Sequence, residues 1–162
     1  LLMELGAARW VAPIEVTREM ARSVLAARPI EAEVFAYGRL PLAFSARCFT
    51  ARRFNLQKEG CEYRCIGFPD GMPLKTREGE PFLTINGVQT QSALVYNLIH
   101  EIGSLKDAGV RILRASPRSQ GTVEVLHALR AACDGASVPA ASRAEGYCDG
   151  FWHGRPGLER AA

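Results

Sequence analysis

Three cysteines fall in one short segment, Cys48 to Cys65, with the spacing C-x12-C-x3-C. Arg47, Arg52, Arg53, Lys58 and Arg64 lie between or beside them. Crowded thiols among cations suit three kinds of chemistry. An iron–sulfur cluster typically takes four thiolates, and its net negative charge would be offset by these arginines and the lysine, which also favour the thiolate form. Structural zinc usually shows two close ligand pairs, whereas here there is one, Cys61 with Cys65, and a distant Cys48. Unrelated packed thiols are the third reading, and spacing alone leaves all three open.

The other candidate groups are scattered. Cys133 ends an apolar helical pattern and reads as a core thiol. Cys148 in the tail is either a further donor or a packed side chain. Glu15 follows the first expected strand, where it serves either a working face or a helix N-terminus. Tyr37 and Arg39 follow the second and lead into the cysteine segment, where they contact an aromatic substrate or brace the loop. His100-Glu101 begins like a zinc-protease motif, but Ser104 stands where the second histidine belongs. His100 and His127 read as structural. Trp152 and His153 read as a packed lid over the end of the chain. No G-x-S-x-G elbow and no G-x-x-x-x-G-K phosphate loop occurs.

These groups need a scaffold. The chain has 162 residues, 48% of them hydrophobic, and a net charge of +3. That is enough for one core and too little charge to argue for nucleic acid. Five cysteines do not make a complete disulfide framework, and no signal peptide or membrane-length apolar run is visible, so a reducing, cytoplasmic setting is expected. Residues 1–6 read as a last helical turn closed by Gly6, as in a piece of a longer chain. Thr17 caps a helix to about Ala27, with Met20, Val24 and Leu25 as its buried stripe. Glu31 to Tyr37 reads as a strand that Gly38 ends, which completes a βαβ unit. The glycine- and proline-punctuated stretch to about Thr90 reads as short antiparallel strands. A helix from about Gln91 to Ala108 is expected from Leu94, Leu98, Ile102 and Leu105. Residues 108–113 then echo residues 5–11: helix, glycine, strand. Ser116-Pro117 reads as the start of a further helix with Val123, Leu126 and Leu129 on one face.

The expected fold is α/β, the C-terminal half of a TIM-like (β/α) barrel with a cysteine-bearing, β-rich insertion. Residues 1–47 supply barrel βα units, 48–90 the insertion, 91–133 a barrel helix–strand–helix, and 134–162 a small-residue linker and an aromatic tail.

The run from Glu33 to Cys48, EVFAYGRLPLAFSARC, with the FTARRFNLQKEGCEYRC that follows, closely resembles the collagenase-like peptidase family of unassigned catalytic type. Peptidase-like members carry histidine or asparagine where Tyr37 stands, and a cysteine soon afterwards where this chain has Leu40-Pro41. Those departures, and the tail GYCDGFWHG, resemble the ubiquinone-biosynthesis branch. The resemblance covers essentially the whole sequence. It implies a 4Fe–4S cluster with Cys48, Cys61 and Cys65 as three ligands and a fourth upstream of this sequence. It also implies a heterodimer with the sister iron–sulfur protein UbiU, and oxygen-independent hydroxylation of the quinone precursor ring. Peptidase activity, RNA modification, for which the cysteine segment's cations would meet phosphates, and a zinc-stabilised binding module are the alternatives.

Overall fold

A computed structural model describes residues 2–137 and 146–161; part of the expected linker after Asp134 lies outside them. Residues 2–6 form turns. The Gly6 N–H donates to the Met3 carbonyl at 3.0 Å and the Ala7 N–H to the Leu2 carbonyl at 3.0 Å. This is the bonding of a glycine-closed helix end.

The organising strand is β2 (Glu31–Phe44). Strand β1 (Arg9–Val11) runs parallel to its start, and β6 (Ile112–Ala115) runs parallel along its opposite edge, since Glu33 faces both Val11 and Ile112. The two echoed glycine-to-strand joints thus place their strands on either side of β2. Its Ala32, Val34, Phe35 and Ala36 are buried, as expected of a strand covered on both faces. Helix α1 (Arg18–Ala27) makes the β1-to-β2 crossover. The Thr17 hydroxyl accepts the Met20 N–H at 3.1 Å, a cap that contributes about 1 kcal/mol. Its buried side differs from the expected stripe: Ala21 is enclosed and Leu25 packs on the core, while Met20 and Val24 are exposed.

Strand β2 does not stop at Gly38. It passes through Gly38 at φ +130° and runs on to Phe44, changing partners on the way. From Tyr37 onward it pairs antiparallel with β5 (Gln89–Asn97), with register shifts around Pro41. A bulge suits Pro41, which has no N–H for the ladder. Between them come α2 (Phe49–Arg53), β3 (Met72–Lys75) and β4 (Pro81–Asn86), with β3, β4 and β5 forming an antiparallel meander. The sheet order is β1-β2-β5-β4-β3, with β6 on β2 and β7 (Tyr147–Cys148) parallel on β5.

The helix expected over residues 91–108 is therefore mostly strand β5. Only a short turn at Ile99–Glu101 and α3 (Ile102–Asp107) are helical. Leu98, Ile102 and Leu105 are buried as their spacing suggested, but Leu94 packs on the core from the strand. Backbone partners on both sides, β2 and β4, outweigh the local 3–4 spacing. Helix α4 (Thr122–Cys133) begins after Gly121 rather than at Pro117. The Thr122 hydroxyl exchanges bonds with the Arg118 backbone at 2.9 Å, which holds residues 118–121 as a loop. Leu129 is buried, whereas Val123 and Leu126 are exposed. Among the described residues no helix is long and apolar enough to cross a membrane.

Candidate functional site

Helix α2 is fixed by its entrance. The Phe49 N–H donates to the Gly87 carbonyl at 2.7 Å and the Ser45 N–H to the Val88 carbonyl at 2.8 Å, tying it to the β4–β5 turn. Cys48 stands at its N-cap, half-buried. Cys61 closes the short 3-10 turn Lys58–Gly60, also half-buried, and Cys65 lies exposed in the next turn, Arg64–Gly67. That turn packs against α2, with the Phe54 and Phe68 rings 5.9 Å apart and the Arg64 guanidinium 5.9 Å from the Phe54 ring. All three thiols are free.

The segment is held loosely for its strain. Glu62 and Tyr63 both sit at φ +50°, a left-handed conformation that costs such residues roughly 1–2 kcal/mol each. Tyr63 and Ile66 are 73% and 78% exposed, so apolar packing does not offset that cost. The cations are unequally committed. Arg64 pairs with Glu62 at 2.7 Å, while Arg47, Arg52 and Arg53 form no ion pair among the described residues. Also among the described residues, no three His, Cys, Asp or Glu side chains are grouped to hold a metal. The structure therefore brings the cysteines into one small substructure without assembling them as a donor set. Thiols suit a cluster chemically, but these three fall one short of the four that such a site typically takes.

Cys148 is fully buried in β7, and burial, with Asp149 beside it, pushes its thiol up to about 12. A thiol so disfavoured as thiolate is a core side chain, neither nucleophile nor ready ligand. Cys133 ends α4, half-buried at the rim of an open groove between α3, α4 and β6. Glu15 is exposed in the turn between β1 and α1; the acidic residue in the first turn of α1 is Glu19. Trp152 is buried in the core, its indole N–H donating to the Ser104 hydroxyl at 2.9 Å. The Ser104 hydroxyl in turn donates to Glu101 at 2.6 Å, and His153 lies 3.6 Å from the same carboxylate. Trp152 and His153 thus fasten the tail onto α3.

Arg39 lines a different feature, and the Tyr37 backbone bonds to Ser116 at its edge. A polar cleft of about 270 Å³ opens where the parallel strands end, lined by Arg39, Ser116 and Arg118 with Asn86, Gln89 and Gln91. The Tyr37 carbonyl accepts the Ser116 N–H at 2.8 Å, which sets the floor beside β6. An Arg39 Nη1 donates to the carbonyls of Ser92, at 2.9 Å, and Ala93, so this arginine braces β5. At the rim, Asp70 accepts the Ser119 N–H at 2.8 Å and its hydroxyl at 2.5 Å. These bonds, with Arg118 and Arg39 nearby, hold its carboxyl below the ordinary range. Sequence reasoning reached Arg39 but neither Arg118 nor Asp70.

A sequence model of Peptidase family U32 matches residues 1–139, which include the cysteine segment and the cleft. No solved structure matches the chain.

Proposed function

Because the chain belongs to Peptidase family U32, we propose that it is an iron–sulfur component of oxygen-independent ubiquinone biosynthesis, of the UbiV type, and not a peptidase. The observation that carries this reading is the cysteine segment: three free thiols beside Arg47, Arg52 and Arg53, which form no ion pair among the described residues, in a strained and poorly packed stretch. Metal binding commonly supplies the ordering energy that such a segment lacks. Cys48, Cys61 and Cys65 would hold a 4Fe–4S cluster together with a donor from outside these residues. A cluster so held supplies one-electron chemistry. The chain's own part is to present these thiols from α2 and the two short turns, with Arg47, Arg52 and Arg53 as countercharge. UbiU is the partner in this reading, and the ring of the quinone precursor is the substrate.

The scaffold fits the same reading. Strands β1, β2 and β6 with α1 are read as part of a (β/α) barrel, whose working face is at the carboxyl ends of the strands. Tyr37, Leu40 and Pro41 occupy the positions that separate the UbiV branch from peptidase-like members. The test is ubiquinone content in anaerobically grown cells whose own copy is replaced by the wild type or by Cys48→Ala. Loss of ubiquinone in the variant is expected. Unchanged quinone with altered RNA hydroxylation would overturn the reading in favour of an RNA-modifying member.

A further inference from the structure

The cleft at the ends of β2 and β6 holds two guanidinium groups that no ion pair neutralises among the described residues. Arg39 is half-buried, and its Nε is enclosed without an acceptor. Burial, and then the charge of Arg118, lower its pKa from the usual arginine value, while Asp70 acts in the opposite sense. A charged donor left unpaired out of water is costly, and such a group calls for a partner or a purpose. Arg118 is exposed at the mouth of the same cleft. The one carboxylate in the cleft's lining among the described residues, Asp70, already accepts two bonds from Ser119. The cleft thus sets two cations against one engaged carboxylate. The Gln91 amide donates to the Gln89 side-chain oxygen at 2.6 Å, which leaves the Gln89 amide nitrogen as a further donor. Asn86 and Ser116 complete a lining rich in hydrogen-bond donors.

Position and size agree with a ligand group. In open α/β sheets, ligands bind beyond the carboxyl ends of parallel strands. Arg39 follows the stretch of β2 that pairs with β6, and Ser116 follows β6 directly. A volume of about 270 Å³ is small beside ligand pockets of about 300–1,000 Å³, so it suits one functional group and not a whole extended molecule.

We propose that this cleft is an oxyanion subsite, taking the carboxylate or phosphate group of a small molecule, with Arg118 in direct contact and Arg39 supplying positive charge behind it. The subsite stands on the cleft alone and holds whatever the cysteines bind. The test is a titration of isotope-labelled protein, followed by NMR at constant ionic strength, with inorganic phosphate in one arm and benzoate in the other. Saturable shifts at Arg118, Ser116 and Gln89 are expected in at least one arm, and the responding arm identifies the group. Arg118→Gln, an exposed change that leaves the fold intact, weakens binding by about tenfold, the worth of one charge-assisted contact. Arg130→Gln, at an exposed position on α4, leaves it unchanged. Shifts that do not saturate in either arm, or equal affinity in Arg118→Gln and the wild type, would overturn the proposal.

Discussion

Replacing Gly38 with alanine would strike the point where β2 exchanges parallel for antiparallel partners. The glycine holds φ +130°, a conformation that costs an L-residue roughly 1–3 kcal/mol. A Cβ there would lie 2.5 Å from the Ser116 Cβ, 3.1 Å from the Phe35 ring and 3.3 Å from the Ser116 nitrogen. Those neighbours belong to the core and to the end of β6, so they yield only by moving the strand, at roughly 1–3 kcal/mol more. The sum is a loss of about 2–6 kcal/mol, which in urea unfolding lowers the midpoint by about 1–3 M at unchanged slope. Gly79→Ala is the matched control: φ is +94°, yet nothing lies within 4 Å of the added Cβ, so it carries only the backbone cost, roughly 1–2 kcal/mol. The expected result is a clearly larger loss for Gly38→Ala, with the resonances of Ser116 and Arg118 displaced. Equal losses for the two variants would refute the close approach of β2 and β6 at the cleft.

Trp152→Ala removes a side chain that is 1% exposed and should cost about 3–5 kcal/mol in the same assay; Ser104→Ala, which orphans the indole N–H, should cost about 1–3 kcal/mol. Thiol alkylation of the native protein, read by mass spectrometry, should label exposed Cys65 early and buried Cys148 only on unfolding. The Cys148 thiol, pushed up to about 12, also sets a sign for pH dependence. Stability is fully present below the ordinary thiol pKa near 8.5 and falls as pH rises from there towards the raised value, because the unfolded chain releases the proton first. Cys148→Ala should flatten that fall in alkaline unfolding curves.

Local signals carried part of the fold. Thr17, with its capping hydroxyl, fixed the start of α1, and the repeated glycine-to-strand joints correctly announced β1 and β6. What failed was decided far away in sequence. Leu94, Leu98, Ile102 and Leu105 have helical spacing, but residues 89–97 find backbone partners in β2 and β4, and pairing prevails over spacing. Gly38 read as the end of a strand, yet it is the kink, and Pro41 the bulge, of a single long strand. For the same reason the cleft was only partly legible. Arg39 stood out beside the cysteine motif, whereas Asp70 and Ser119 meet from 49 residues apart, and nothing near either announces the other. The cysteine segment was visible at once because its chemistry is local, but spacing does not say whether the thiols face one another.

The central claim is that Cys48, Cys61 and Cys65 act together on iron. Iron and acid-labile sulfide should be measured per chain after anaerobic reconstitution of the full-length protein, beside Cys48→Ala, Cys61→Ala, Cys65→Ala and Cys133→Ala. Matching iron and sulfide in the wild type and in Cys133→Ala, with loss of both in each of the other three, is the expected result. Zinc without sulfide, or iron and sulfide undiminished in those three variants, would contradict it.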